Sequence, residues 1–217
     1  MGDDFILQVL KKMSRSKSSQ QWLKQHHDDA YVLQARKDGY RSRAVYKLIE
    51  IQQRDQVLQA GQFVLDLGAA PGGWSEYAVQ FASDRGRLIA VDLLPMEPIA
   101  GVEIIQGDFT EPATLDKILE LVDQQPIDLV LSDMAPNISG IETVDQPKSI
   151  YLAELAFELA RQCLHAKGQF VIKLFQGAGF EELISDFRLN YASVRLRKPK
   201  ASRARSREIY AVCSGLK

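Results

Sequence analysis

The chain has 217 residues, 46% of them hydrophobic and 25% charged, with a formal net charge of −1. That length and apolar content fill one substantial core without a second domain. No apolar stretch approaches the ~18 residues of a membrane span, the start MGDDFILQVLKKM lacks a secretory order, and Cys163 and Cys213 are too few for a disulfide framework, so a reducing cytoplasm is the expectation.

Residues 1–20 are expected to form a mobile N-terminal segment, polar over SRSKSSQ. Residues 21–217 read as one domain, on which 21–55 pack as a basic helical arm. Helices are predicted at 21–37 and 42–52, parted by Gly39, with Trp22, Tyr31, Val32, Ala44, Val45 and Leu48 facing inward. Strand patterns follow at 62–67, 87–92, 102–106, 127–132, 168–175, 191–197 and 207–213. Helical patterns fill most gaps, at 74–82, 112–124, 148–166 and 179–189. This alternation predicts an α/β fold with a mostly parallel sheet covered on both faces. The last two strands are joined without a helix, so they should pair antiparallel.

The first strand carries the strongest signal. Val64 to Ser75 reads VLDLGAAPGGWS, a buried strand entering a turn with Gly68, Gly72 and Gly73. Glycines there permit close ligand approach at the carboxyl end of a strand, where open α/β sheets bind cofactors. The spacing matches neither a dinucleotide fingerprint nor a P-loop, since Trp74 and Ser75 stand where Lys and Ser/Thr belong. A bulky Trp74 suits stacking or shape contact with a flat or sulfur-containing ligand.

Three acids mark the ends of successive strands. Asp92 lies about 20 residues past the glycine turn, where a carboxylate accepts from ribose hydroxyls. Asp108 is placed to take the exocyclic amine of an adenine. Asp133, in SDMAPN, ends the fourth strand beside the glycine turn. Singly, each reads as a cap or turn aspartate; together they line one sheet edge.

Charge is unevenly spread. Residues 11–47 hold ten Lys/Arg against three Asp/Glu, and 188–207 hold eight against none, while the 140 residues between hold eight against 22. An acidic body with two basic ends, and aromatics Trp22, Tyr31, Tyr40 and Tyr46 in the first, points to a nucleic-acid partner. Arg36, Lys37, Arg41 and Arg43 are expected on one side of the site, with Arg195, Arg197, Lys198, Lys200, Arg203, Arg205 and Arg207 on the other.

Beyond these patterns, the chain resembles the FtsJ/RrmJ-type ribosomal RNA methyltransferases. RSRAVYKL (41–48), DLGAAPGGWS (66–75), DLLPM (92–96), QGDF (106–109), SDMAPN (132–137), KLFQG (173–177) and RKPKASRARSREIY (197–210) carry the likeness. It implies a Rossmann-like S-adenosylmethionine-dependent fold whose seven-stranded sheet has one antiparallel strand. It also implies a catalytic set of Lys47, Asp133, Lys173 and Glu208, with cofactor contacts at Gly72, Trp74, Asp92, Asp108 and Asp133 and no metal. The implied reaction is methylation of a ribose 2′-hydroxyl, in a uridine of the peptidyl-transferase region (A loop) of 23S rRNA, by a monomer. A tRNA 2′-O-methyltransferase and a catalytically silent RNA-binding assembly factor are the alternatives. The second has no need for all four charged residues.

Methyl transfer to a ribose hydroxyl requires in-line positioning and removal of a poorly acidic proton. An isolated lysine is protonated at neutral pH, so a lysine that accepts a proton needs burial or a second ammonium nearby. Lys173, in the apolar strand VIKLF, is the expected base or hydroxyl-orienting group. Asp133 would fix it, while Lys47 and Glu208 would tune the site and steer the ribose.

Overall fold

The computed structural model describes residues 29–81, 85–122 and 125–217. The expected mobile segment 1–20, Trp22 and the first part of the first predicted helix lie outside the described residues.

Among the described residues, seven strands form one sheet: β1 (Phe63–Leu67), β2 (Arg87–Asp92), β3 (Glu103–Gln106), β4 (Ile127–Ser132), β5 (Leu164–Phe175), β6 (Tyr191–Arg197) and β7 (Glu208–Leu216). Their spatial order is β3-β2-β1-β4-β5-β7-β6. β1 to β5 run parallel, and β7 enters antiparallel between β5 and β6. The helix-free connection predicted this pairing, because a strand returning without a crossover must run back beside its neighbour.

Among the described residues, six α-helices cover the sheet: α1 (Ala30–Asp38), α2 (Val45–Asp55), α3 (Gly73–Ala78), α4 (Pro112–Val122), α5 (Glu142–Cys163) and α6 (Phe180–Asn190). α6 buries Phe180, Leu183, Ile184 and Phe187, a spacing that makes one apolar helical stripe. That stripe joins α4, α5 and the inward residues of β5 in a core on one face of the sheet. On the other face, Leu48 and Ile51 of α2 and Trp74 and Ala78 of α3 pack on Val64, Leu129 and Val171. Cys163 and Cys213 are buried free thiols, one in each of the two elements predicted for them. Among the described residues, no helix is long and apolar enough to cross a membrane.

Several boundaries differ from the sequence reading, most of all around α5 and β5. The helix predicted at 148–166 starts at Glu142, ahead of Pro147, and stops at Cys163. Residues 164–166 belong to β5, where Leu164 pairs with Ile127 across a register shift and His165 Nε2 lies 3.0 Å from Asp128 Oδ1. Gly168 permits the tight path there, since a Cβ at this position would sit 2.9 Å from the His165 carbonyl.

The arm is tied to the body by buried charge. Asp55, at the end of α2 and with its side chain fully enclosed, accepts from Arg197 Nε at 2.7 Å and Nη2 at 2.6 Å, with Arg195 Nε at 3.4 Å. Glu50 accepts from the backbone of Lys200 and Ala201, both at 2.8 Å. Arg43 donates to the Ala201 carbonyl and pairs with Asp29. The β6–β7 connection is thereby clamped onto α2.

Candidate active site

The carboxyl ends of β1, β2 and β4 open on a cavity of about 550 Å³ lined by Gly68, Asp92, Asp108, Phe109, Asp133 and Met134 among others. Gly68 is required at its edge: its φ is +74°, and a Cβ would meet Met134 Cγ at 2.3 Å. Asp92 is fixed in the wall, its Oδ2 accepting from Ala70 N and its Oδ1 from Leu94 N, both at 2.8 Å. Each oxygen keeps a further lone pair for a ligand hydroxyl. Asp108 Oδ1 accepts from the Thr110 backbone at 2.9 Å and hydroxyl at 2.6 Å, which leaves its second oxygen for an amine.

Gly72 and Trp74 lie at the glycine turn, against α2 and the chain before it. Gly72 faces Arg41 and Ile99, and Trp74 is 3% exposed, its indole N–H donating to the Ala44 carbonyl at 2.8 Å while its ring packs 5.8 Å from Tyr210. The indole ring is enclosed and joins the glycine turn to α2, so any contact that Trp74 makes with a ligand is through its backbone rather than an exposed ring face. The physical reason is that α2 covers this face of the sheet, so a large apolar ring there is worth more buried than exposed.

Beneath the same turn, Asp66 is 1% exposed and accepts from the Ser75 hydroxyl at 2.6 Å. Burial pushes its carboxyl up to about 7, opposed by the Ser75 hydrogen bond and aided by the charges of Asp133 and Asp92.

A second, open basin of about 830 Å³ lies beside the first, lined by Arg43, Lys47, Lys173, Phe175, Arg203 and Glu208 among others. Four charged side chains meet at its floor. Lys173 Nζ is 3.0 Å from Asp133 Oδ1 and also donates to the Asp133 carbonyl. Lys47 Nζ is 3.1 Å from Glu208 Oε1 and 3.9 Å from Asp133 Oδ1. Asp133 lines the first cavity while the other three line the second, and Ala135 borders both. Lys47 comes from α2, Asp133 from the end of β4, Lys173 from β5 and Glu208 from β7, so only the folded sheet assembles them.

Burial opposes ionisation of Asp133, but Lys173, Lys47 and the Tyr210 hydroxyl outweigh it and hold the carboxyl below its usual range. Burial likewise opposes Glu208, and the Lys47 ammonium overrides it. Two ammonium groups face two carboxylates, so the cluster is charge-balanced.

Tyr210 was not singled out by the sequence reading. It is fully buried, donates to Asp133 Oδ1 at 2.6 Å, and lies with its ring 5.6 Å from Lys47 Nζ. Burial, and then the charges of Asp133 and Glu208, raise its hydroxyl well above the usual value, so it stays a donor. The signal was present: Glu208 and Tyr210 are two apart on a strand and share a face, and Lys173 pairs across from Tyr210.

The basic residues divide into two groups. Arg195, Arg197 and Arg41 are committed to internal partners, the last donating to the carbonyls of Glu97 at 2.7 Å and Pro98 at 2.8 Å. Lys198 Nζ donates to the Ser206 and Glu208 carbonyls. Arg203 and Arg205 are exposed at the basin's rim, with Arg207 paired to Glu142 beside it. Arg36 and Lys37 are exposed in the last turn of α1. Tyr31 and Tyr40 both pack on Tyr46, with centroids 5.5 and 6.0 Å away.

With this geometry in place, comparison with known proteins agrees closely. The model of the FtsJ-like methyltransferase family matches residues 40–216. The ribosomal RNA large subunit methyltransferase E of Hahella chejuensis is 54% identical over 205 residues, which cover 94% of this chain and all of that protein. A structure named as a ribosomal RNA methyltransferase of Plasmodium falciparum shares 29% identity with a TM-score of 0.74, over 82% of this chain and 98% of that one. A Streptococcus mutans protein, titled as a methyltransferase in complex with SAH, shares the fold at 14% identity and a TM-score of 0.51, over 80% and 96% of the two chains.

Proposed function

This chain belongs to the FtsJ-like methyltransferase family, and on that footing we propose that it methylates a ribose 2′-hydroxyl of large-subunit ribosomal RNA. S-adenosylmethionine is the cofactor of this family, and the first cavity fits it: Asp92 presents acceptors for ribose hydroxyls and Asp108 for an adenine amine. Bound there, it supplies an electrophilic methyl group on a sulfonium. The proposed substrate is a uridine in the A loop of 23S rRNA, met within the large subunit in the cytoplasm by a monomer. Residues 21–217 form the methyltransferase domain in this reading, with 21–55 as its basic arm.

The observation that carries the reading is the cluster at Asp133, poised between the two cavities. Lys173 Nζ orients the 2′-hydroxyl from the basin side; the form that takes the hydroxyl proton is the neutral amine, left after the ammonium has released a proton to solvent. Asp133 holds Nζ in place and presents its carboxylate to the cofactor side, while Tyr210 holds Asp133. Glu208 anchors Lys47, which keeps a second positive charge against the incoming ribose. Positioning of this kind supplies several kcal/mol of barrier reduction, and proton removal adds ~10²–10⁴-fold. Arg205, exposed at the basin rim, and Arg203, loosely paired with Asp29 at 3.8 Å, are cations placed for phosphate; such contacts place the RNA without reading its bases.

The test is transfer of labelled methyl from S-adenosylmethionine to rRNA from cells lacking the protein, with free rRNA and whole subunits compared and the product mapped. Label in one 2′-O-methyluridine of the A loop is the expected result. Label on a base, or in tRNA only, overturns it; absence of calorimetric S-adenosylmethionine binding removes the enzyme reading altogether.

A further inference from the structure

A third cavity of about 440 Å³ adjoins the basin, between the β4–α5 loop and the β6–β7 connection. It shares four lining residues with the basin: Ile138, Phe175, Arg205 and Ser206. We propose that it receives the base of the methylated nucleotide, extruded from the RNA stack. The inference rests on the reading that the ribose sits at Lys173.

Covalent geometry makes the case. The base is bonded to C1′, one carbon from the C2′ that bears the reacting hydroxyl, so it must lie immediately beside Lys173. Toward β1 that space is the cofactor cavity, bounded by Asp133 and Met134. On the other side it is the basin, which Lys173 lines, and past Phe175 the basin continues into this cavity, whose apolar walls favour a base over the basin's charged floor. Phe175 spans the two, its ring centroid 5.9 Å from Lys173 Nζ, and its register partner on β7 is Glu208.

The chemistry of the walls suits a flat heterocycle. Pro136, Ile138 and Phe175 supply apolar faces, and Arg205 can lay its guanidinium plane against a ring. Ile138 is 66% exposed, a large apolar side chain in water at the junction of the two cavities. The floor is fixed: Gln146 spends both amide hydrogens on the carbonyls of Phe175 at 3.1 Å and Ala178 at 3.0 Å. A base inside a duplex cannot enter such a concavity, so the target must be unstacked, as enzymes that act within nucleic acids require.

The test uses the full chain with S-adenosylhomocysteine present and an RNA fragment carrying the target uridine, compared with one abasic at that position. Equilibrium binding is read by filter retention, so no turnover is needed. Wild type should bind the abasic RNA roughly 10- to 100-fold more weakly, the range of base–aromatic stacking. Phe175→Ala and Ile138→Asp should weaken the intact RNA similarly but lose little more on the abasic one. Leu189→Ala, 72% exposed on α6, serves as the control for unspecific effects. Losses that multiply, or variants within twofold of wild type on intact RNA, overturn the assignment. Labelled-methyl transfer by wild type in parallel tests the underlying reading, so either can fail alone.

Discussion

The two halves of the proposed site are built by different means. The half proposed for the cofactor is made of strand ends and backbone: Gly68 clears the way, and Asp92 and Asp108 are locked by neighbouring amides within two to 22 residues. The half proposed for the ribose is made of long side chains from four separated elements, held by one another. A half built on backbone tolerates loss of one side chain by losing affinity. A half built on coupled charges loses its geometry when one member goes.

The sharpest way to break this contrast is at Lys173. Lys173→Ala should lower kcat by ~10²–10⁴-fold while the S-adenosylmethionine Kd stays within a few-fold, measured by single-turnover labelling and calorimetry. A large change in cofactor affinity would mean that the two halves are one network.

The cofactor half conceals a charge of its own. Asp66 lies under the glycine turn with its carboxyl raised to about 7 by burial, against an unfolded value near 3.9. The native state therefore binds more protons between those values, and its stability falls as pH rises from about 4 to about 7. Asp133 and Glu208, both depressed, act the opposite way: their contribution is complete above the unfolded values and is lost only as pH falls through the folded ones. Asp66→Asn removes the first effect alone. Its stability relative to wild type should rise between pH 4.5 and 8, by on the order of 3 kcal/mol in urea unfolding. A flat difference would show that Asp66 is ionised in the fold throughout.

The wall of the ribose half depends on a tie remote from the chemistry. Asp55→Ala leaves the guanidinium groups of Arg195 and Arg197 without their shared carboxylate. The expected cost is roughly 2–4 kcal/mol, at or below the usual range for a broken buried pair because both arginines are partly exposed. Urea unfolding measures it.

The same contrast explains what the sequence made legible. Strand and helix periodicity located the sheet, and the helix-free return predicted the antiparallel strand. That Asp92, Asp108 and Asp133 share one cavity with the glycine turn was readable because the parts are local: a glycine turn, then an acid at each strand end. The charged quartet came only through resemblance, since Lys47 and Glu208 are 161 positions apart and no local pattern joins them. The burial of the Trp74 ring was not legible, because α2, which encloses it, is distant in sequence. The basic runs were counted correctly, but counting cannot tell a cation facing solvent from one folded onto Asp55.

That last distinction yields the smallest expected effect and a clean comparison between two arginines ten residues apart. Arg205 is exposed at the basin rim, whereas Arg195 lies against Asp55, whose side chain is fully enclosed. A cation that neutralises a phosphate releases a counterion, so its removal flattens the dependence of log K on log salt. Arg205→Ala should reduce that slope by roughly one, and Arg195→Ala should leave it unchanged. RNA binding titrated over a range of salt concentrations reads both. Equal slopes for the two variants would mean that RNA draws Arg195 away from Asp55, and the committed and free arginines would then form a single surface.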